Sequence, residues 1–355
     1  MAELVAGIDL GGTAINYTLL DRQGNFLISG LCEHPALTAQ GPEICIGQMA
    51  EGLQLAAKCA GANLGDIAAA GLGTPGPASA SGVLSQAGST NFNHPGWSGY
   101  DIRSRLEAKL RLPVTSLNDG NAAALWGHAA VFGAEGCRAT SIAVIVGTGL
   151  GGGVIVNGQV VTGRRGFGGE LGDILIPYAN IAALEPARDL VPRCNCGRIG
   201  DIESLCSLTA IARNLLPRFL ADEPAHELHA IVRAQGMAAA ARQVRGLAQR
   251  GDRLCRTIFQ VQAQALALLF DTLIAIFDPD ALILGGGAIE AGADFQRWFL
   301  DQIRAGMPPR PQEQRDLPII LMPEGDCAGA RGAALEARRQ LDRTGPKLAA
   351  GIRPA

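Results

Sequence analysis

Near the N-terminus the apolar positions fall into three runs, LVAGIDL, AINYTLLD and NFLISGLCEH, separated by Gly11-Gly12 and by Arg22-Gln23-Gly24. Short apolar runs bounded by turn-formers predict a β-meander. From Ile44 to Ala60 the spacing becomes helical, and IAAAGLG then predicts a buried strand stopped by the breaker Pro75 to Pro77. The order recurs downstream. SIAVIVGTGLGGGVIVNGQVV predicts two strands around a glycine-rich turn, and ALILGGG predicts another strand. Between them, Ser204 to Leu216 and Asp252 to Phe277 predict helices, the latter rich in Ala, Leu and Gln. No repeat of solenoid length is present.

This pattern implies an α/β fold in two domains, and 355 residues are enough for two separate cores with a cleft between them. The boundary is placed near Asp119, giving a small domain over 1–118 and a larger one over 119–327. The segment from Asp342 lacks periodicity and is expected to be a loose tail.

Composition narrows the function classes. A formal charge of −3 with both signs interspersed leaves no basic stripe for nucleic acid. No apolar run reads as an uninterrupted membrane span, and the N-terminus lacks a basic n-region, so the expectation is a cytoplasmic protein. The nine cysteines are odd in number and mostly scattered, as reduced thiols are. Only Cys194 and Cys196 are closely spaced.

Two glycine loops carry the first chemistry. Asp9-Leu10-Gly11-Gly12-Thr13 sits at a hairpin tip, where glycines let backbone amides approach an anion and Thr13 adds a hydroxyl. An ordinary Gly-Gly turn explains one such loop as well. Gly147-Thr148-Gly149-Leu150-Gly151-Gly152-Gly153 repeats the chemistry after a later strand, and the two loops together imply a bound nucleotide. Neither matches the Walker pattern, and a strand follows the second, which disfavours a dinucleotide-binding dehydrogenase. Gly285-Gly286-Gly287 either packs against an adenine or merely turns the chain.

Among the carboxylates, Asp119 stands between a predicted strand, Val114 to Leu117, and a predicted helix, Ala122 to Val131. It reads either as a general base or as a helix N-cap. Glu170 and Glu203 read either as polyol ligands, each able to accept from two vicinal hydroxyls, or as surface glutamates.

The motifs GIDLGGT, GLGTPGP, Asn93-His94-Pro95-Gly96-Trp97, LNDGNAAALWG, VGTGLGGGVIVNG, GFGGELG, CNCGRIG followed by Glu203, FDPDALILGGG and GDCAGARGAA resemble one family. It is the ROK sugar kinases and repressors, and the resemblance runs from Gly7 to about Leu335. It implies two ribonuclease-H-like domains of the actin-like ATPase, hexokinase type, the first completed by a C-terminal helix at about 328–341. It implies ATP and Mg²⁺ as cofactors, a sugar or polyol substrate, and a homodimer. Asp119 would be the base, with Asn93, Asn118, Glu170, Asp173 and Glu203 on the substrate. Asp9 would hold Mg²⁺ through water, and Gly11, Gly12, Thr13, Gly147, Thr148, Gly149, Gly286 and Gly287 would surround ATP. Repressors of the family carry an N-terminal winged helix, whereas this chain begins at the first loop, which favours the kinase branch.

Three positions depart from the family. Ala14 replaces a lysine in the first loop. Asp173 replaces a histidine that in relatives binds zinc and touches the sugar, and Asp201 replaces the last cysteine of the zinc loop. Cys194, Cys196, Asp173 and Asp201 therefore read either as a degenerate zinc site or as a metal-free loop held by Asp201. The expected activity is transfer of the ATP γ-phosphoryl to a primary, 6-type hydroxyl of a hexose, amino sugar or cyclitol. A sugar-binding regulator or inactive pseudo-kinase is the alternative. An actin-like ATPase or scaffold would not need Asn118, Glu170 and Glu203 together.

Overall fold

The computed structural model describes residues 3–76, 78–85, 92–287 and 289–344; Pro77 of the breaker and the tail from 345 lie outside them. The first elements in chain order are β1 (Leu4–Leu10), β2 (Ala14–Leu20), β3 (Glu33–Pro35), α1 (Pro42–Cys59), β4 (Ile67–Thr74), α2 (Ile102–Leu110), β5 (Val114–Asn118) and α3 (Asp119–Phe132). Next come β6 (Ser141–Val146), β7 (Leu150–Val156), β8 (Gln159–Val160), α4 (Glu203–Cys206), α5 (Leu208–Ala210), α6 (Leu216–Leu220), α7 (Leu228–Gln235) and α8 (Met237–Gln249). The last are α9 (Arg253–Phe277), β9 (Ala281–Gly285), α10 (Ala293–Gly306), α11 (Gln312–Arg315), β10 (Ile319–Leu321) and α12 (Ala328–Thr344).

The chain divides into two compact units. Unit 1 comprises Met1–Arg138, Gly153–Gly169 and Pro323–Ala355, and unit 2 comprises Ala139–Gly152 and Glu170–Met322. Where the sequence suggested a boundary at Asp119, the division falls after α3, because α3 packs along α12 within unit 1. Asp342 to Thr344, assigned to the tail, continue α12.

Unit 1 is built on a sheet of order β3-β2-β1-β4-β5. The β1–β2 and β2–β3 pairs are antiparallel, and β1, β4 and β5 run parallel. Strand alternation sorts its residues between two faces. Leu4, Ala6, Ile8 and Leu10 join Leu72, Met49, Leu53, Ile102 and Leu106 in one apolar core with α1 and α2. On the other face of β1 lie Val5, Gly7 and Asp9, and Gly7 pairs with Gly71 of β4. These two glycines admit the backbone of α12: a Cβ on Gly7 would lie 1.9 Å from the Ala330 carbonyl oxygen, and one on Gly71 would lie 1.9 Å from that of Ala333. Gly332 does the same for α3, since its Cβ would fall 1.7 Å from the Ala122 carbonyl oxygen.

The third apolar run departs from expectation, for only Glu33–Pro35 of it is strand. Asp21 accepts the Asn25 N–H and closes a turn, and Phe26 keeps only an isolated antiparallel bridge to Leu20 while its ring meets Trp126 edge to face at 5.4 Å. In unit 2, the helix expected over Ser204 to Leu216 is broken. Ser207 is extended and caps α5 through the Ala210 N–H, and a π-turn spans Ile211–Leu215 before α6. Helix α9 follows the sequence closely, with Asp252 as its N-cap. It is long and apolar enough to cross a membrane, contrary to the initial reading, yet 67% of its most apolar window is buried in the fold. Phe259 of α9 meets Phe295 and Phe299 of α10 edge to face.

The close approach of α12 is testable by a matched pair of substitutions. Gly71→Ala should sharply lower Tm or abolish folding, because backbone cannot retreat as a flexible side chain can. Gly47→Ala in α1, where a Cβ meets nothing within 4 Å, should be neutral or stabilise by up to about 1 kcal/mol. Equal effects in thermal melts would contradict this packing.

Candidate active site

In unit 1 Asp9, Asn118 and Asp119 stand toward the carboxyl ends of parallel strands, where open α/β sheets present their functional groups. Asp9 ends the inner part of β1 beside Gly73 of β4, and Asp119 opens α3 directly after β5. Asn118, not Asp119, caps the helix: its Oδ1 accepts from Gly120 N–H at 2.9 Å and from Asn121 N–H at 3.4 Å. The capping explanation of Asp119 is therefore removed. Its Oδ1 accepts the adjacent Gly120 N–H at 2.7 Å.

Burial pushes the Asp119 carboxyl up to about 6, against the opposing pull of the Gly120 N–H. Burial, and then the charge of Asp119, push Asp9 up to about 7. Two buried carboxylates close enough for one to repel the other are a donor set that fits a divalent cation. Gly329, at the start of α12, closes over Asp9, since a Cβ there would sit 2.3 Å from Oδ2.

The first glycine loop is a tight hairpin. The Gly11 N–H is spent on the Ala14 carbonyl at 2.9 Å, so an anion would be met by the loop beyond it. Thr13 is exposed, and the Gly12 carbonyl accepts from Thr38 Oγ1 at 2.6 Å. Asn93 is exposed, held beside a buried anchor in which Phe92 and Trp97 stack at 4.4 Å and Trp97 Nε1 donates to the Thr38 carbonyl. Asn121 was missed by the sequence reading. It is buried, its Nδ2 donates to the Gly168 carbonyl at 3.0 Å, and a Cβ on Gly169 would meet its Oδ1 at 2.6 Å. It thus fixes the segment that leads to Glu170; its place in LNDGN was the available signal. A groove of about 1370 Å³ in unit 1 begins at Asn118 and Asn121 and follows the outer edge of β5 between α2 and α12.

In unit 2 the second glycine loop is pinned by backbone bonds. Gly147 N–H donates to the Gly149 carbonyl, the Gly147 carbonyl accepts from Leu208 N–H, and Thr148 carbonyl accepts from Thr209 Oγ1 at 2.8 Å. Glu203, first residue of α4, lies against this loop: its Oε2 accepts Leu150 N–H at 2.9 Å, and a Cβ on Gly149 would meet it at 2.8 Å. Gly286 has φ 90° and turns the chain against Val146, while Arg245 donates to the Gly287 carbonyl. Glu170 is exposed and precedes the short turn Leu171–Asp173.

Three of the four candidate zinc ligands cluster, and Asp173 does not join them. The ligand atoms of Cys194, Cys196 and Asp201 lie within 4.8 Å of one another. Asp173 is half-exposed and turned to Arg198, which pairs with its carboxylate at 2.9 Å and donates to its carbonyl at 2.8 Å. Asp201 is fully buried and already engaged, accepting Ser204 N–H on Oδ1 and the Cys196 thiol on Oδ2. The Cys194 thiol donates to Glu203 Oε1, and burial raises it well above the usual thiol range. These residues do not fit a closed four-ligand zinc site.

Two mixed five-stranded sheets with glycine turns, the first with Asp9 and Asp119 at its strand ends, make up the actin-like ATPase fold. The chain belongs to the ROK family, whose model matches residues 5–340. It is similar to the glucokinase of Thermotoga maritima, 31% identical over 294 residues that cover 81% of this chain and 82% of that protein. Among solved structures it is similar to a ROK hexokinase from Thermus thermophilus, at 30% identity and TM-score 0.72 over 96% of this chain and 99% of that one. A ROK family glucokinase from Streptomyces griseus, in complex with glucose and AMPPNP, matches at 26% identity and TM-score 0.70 over 95% and 99% of the two chains.

The carboxylate pair has a stability signature. A carboxyl raised above its unfolded value of 3.8 keeps its proton in the folded state while the unfolded chain has lost it. Stability of the metal-free protein should therefore fall as pH rises from about 4 to about 7. Asp9→Asn removes part of that cost. Its Tm advantage over wild type should be near zero at pH 4 and full above pH 7; a pH-independent difference in calorimetric melts would contradict the assignment.

Proposed function

We propose that the protein transfers the γ-phosphoryl of ATP to a primary hydroxyl of a hexose, amino sugar or sugar-like cyclitol. The observation that carries this reading is the division of labour at the start of α3, where Asn118 caps the helix and Asp119 keeps its carboxylate for chemistry. With a carboxyl raised to about 6, Asp119 is ionised at neutral pH yet basic enough to take a hydroxyl proton. The substrate oxygen bonds to the γ-phosphorus as the bond to the β-phosphate oxygen breaks, and its proton passes to Asp119. ADP and a sugar phosphomonoester leave.

Phosphoryl transfer otherwise needs positioning and charge stabilisation. Asp9 would hold Mg²⁺ through water, and the ion, when bound, offsets the charge on the phosphates. By the family resemblance, Gly12 and Thr13 are the phosphate-binding candidates of unit 1, and Gly147 to Gly149, Gly286 and Gly287 are the nucleotide-binding candidates of unit 2. Asn93, Asn118, Glu170 and Glu203 would take the sugar hydroxyls, Glu203 held by Leu150 N–H and the Cys194 thiol.

Asp119→Asn should fold normally and lose about 10²- to 10⁴-fold in kcat, the usual worth of a general base. An ADP-release assay measures this, and near wild-type turnover would remove Asp119 from the role. An inactive sugar-binding regulator would bind sugars without any ADP release in the wild type.

Specificity follows from Asp173. A carboxylate tied to Arg198 stands where the family has a histidine, so the polar partners offered to the ring substituent differ. We expect an amino sugar, an uncommon hexose or a cyclitol to be favoured over glucose in kcat/KM, and Asp173→His to shift that ranking. If glucose leads in the wild type and the ranking survives the substitution, Asp173 does not set specificity.

A further inference from the structure

Asp9 is packed so closely under the first turn of α12 that its position depends on how firmly that turn is held. Three residues into α12, Arg331 buries its side chain to 6% exposure. Its guanidinium lies 4.6 Å from the Trp126 ring centroid and 4.9 Å from that of Phe26. Its Nη2 pairs with Glu324 at 2.6 Å and donates to the Ser29 carbonyl at 3.4 Å. Trp126 in turn donates from Nε1 to the Pro323 carbonyl at 2.9 Å.

One desolvated cation therefore ties four pieces of unit 1 together. They are α12 itself, α3 through Trp126, the segment after β2 through Phe26 and Ser29, and the turn entering α12 through Glu324. Cation–π attraction strengthens as water is excluded, and Arg is the cation suited to stacking between rings. Trp126 follows Asp119 by two turns of the same helix, so the clamp acts on α3 as well as on α12.

We infer that Arg331 is a positioning residue, holding Gly329 against Asp9 and fixing the spacing of the Asp9 and Asp119 carboxylates. This rests on the roles given to those carboxylates above. Misplacement of reacting groups by about 1 Å costs up to about 10²-fold in rate without requiring weaker binding. A residue that merely stabilised the fold would lower Tm and leave kcat per folded molecule unchanged.

The test compares Arg331→Met, Arg331→Lys and a core control, Leu53→Ala, which lies in the α1 core. Kinetics come from ADP release, sugar binding from calorimetry, and local order from hydrogen exchange over residues 328–332. For Arg331→Met we expect kcat to fall about 10- to 100-fold, an unchanged sugar dissociation constant, and faster exchange confined to that turn. Arg331→Lys, which keeps a cation between the rings, should recover part of kcat and also serves if the methionine variant does not fold. Leu53→Ala should lose Tm and keep kcat. Wild-type kcat in the Arg331 variants, a parallel loss of sugar affinity, or an equal kcat loss in Leu53→Ala would overturn the inference. Asp9→Asn and Asp119→Asn are measured alongside. If they lose turnover while the Arg331 variants keep it, the clamp alone is refuted; if they keep turnover, the reading of the carboxylates fails and the clamp with it.

Discussion

The seating of α12 on bare backbone is the constraint from which the rest of unit 1 follows. Gly7 and Gly71 are cross-strand partners, and together they make a strip of sheet with no side chains, onto which Ala330 and Ala333 descend. Gly332 lets α3 come equally close. A Cβ at any of these places would overlap a carbonyl oxygen, and a packed interior has no room to absorb such a shift. The reward for this intolerance is placement. Asp9, two residues after Gly7 on the same face of β1, comes to lie under Gly329, and Asp119 is carried in on the helix that α12 supports.

Placement then sets electrostatics. Burial makes both carboxylates more basic than exposed ones, and the charge of Asp119 adds to the rise at Asp9, which suits a proton acceptor and a cation ligand but costs stability when neither proton nor cation is present. In unit 2 the carboxylates are arranged differently. Glu203 is held by Leu150 N–H and a protonated thiol against the glycine loop, and Asp201 serves as a buried anchor for the turn that begins α4. Hydrogen bonds and the Arg198–Asp173 pair organise the loop in which relatives are expected to place a metal.

Much of this was legible in the sequence, because strand and helix periods and turn-formers are local signals. The strands β1, β2, β4, β6, β7 and β9 and the helices α1, α3 and α9 lie close to where the apolar spacing put them. What was not legible depended on partners distant in the chain. The strand-like run at Phe26 shrinks to a single bridge while its ring goes to Trp126 and Arg331, and Ser207 breaks a helical pattern by capping a new helix. Asp119 is the helix cap that the spacing offers, yet the Oδ1 of its neighbour Asn118 caps α3; which of two neighbours caps a helix depends on backbone angles that spacing does not encode. Asp173 illustrates the same limit, since its partner Arg198 is a surface arginine until the loop folds.

The central claim is that a phosphoryl group moves from ATP to a carbon-bound hydroxyl rather than to water. Phosphorus NMR of a reaction with ATP, Mg²⁺ and a panel of hexoses, amino sugars and cyclitols tests it most directly. The account predicts one phosphomonoester resonance, coupled to methylene protons of the acceptor, growing in step with ADP and requiring the acceptor. Inorganic phosphate appearing at the same rate with or without any acceptor would contradict it.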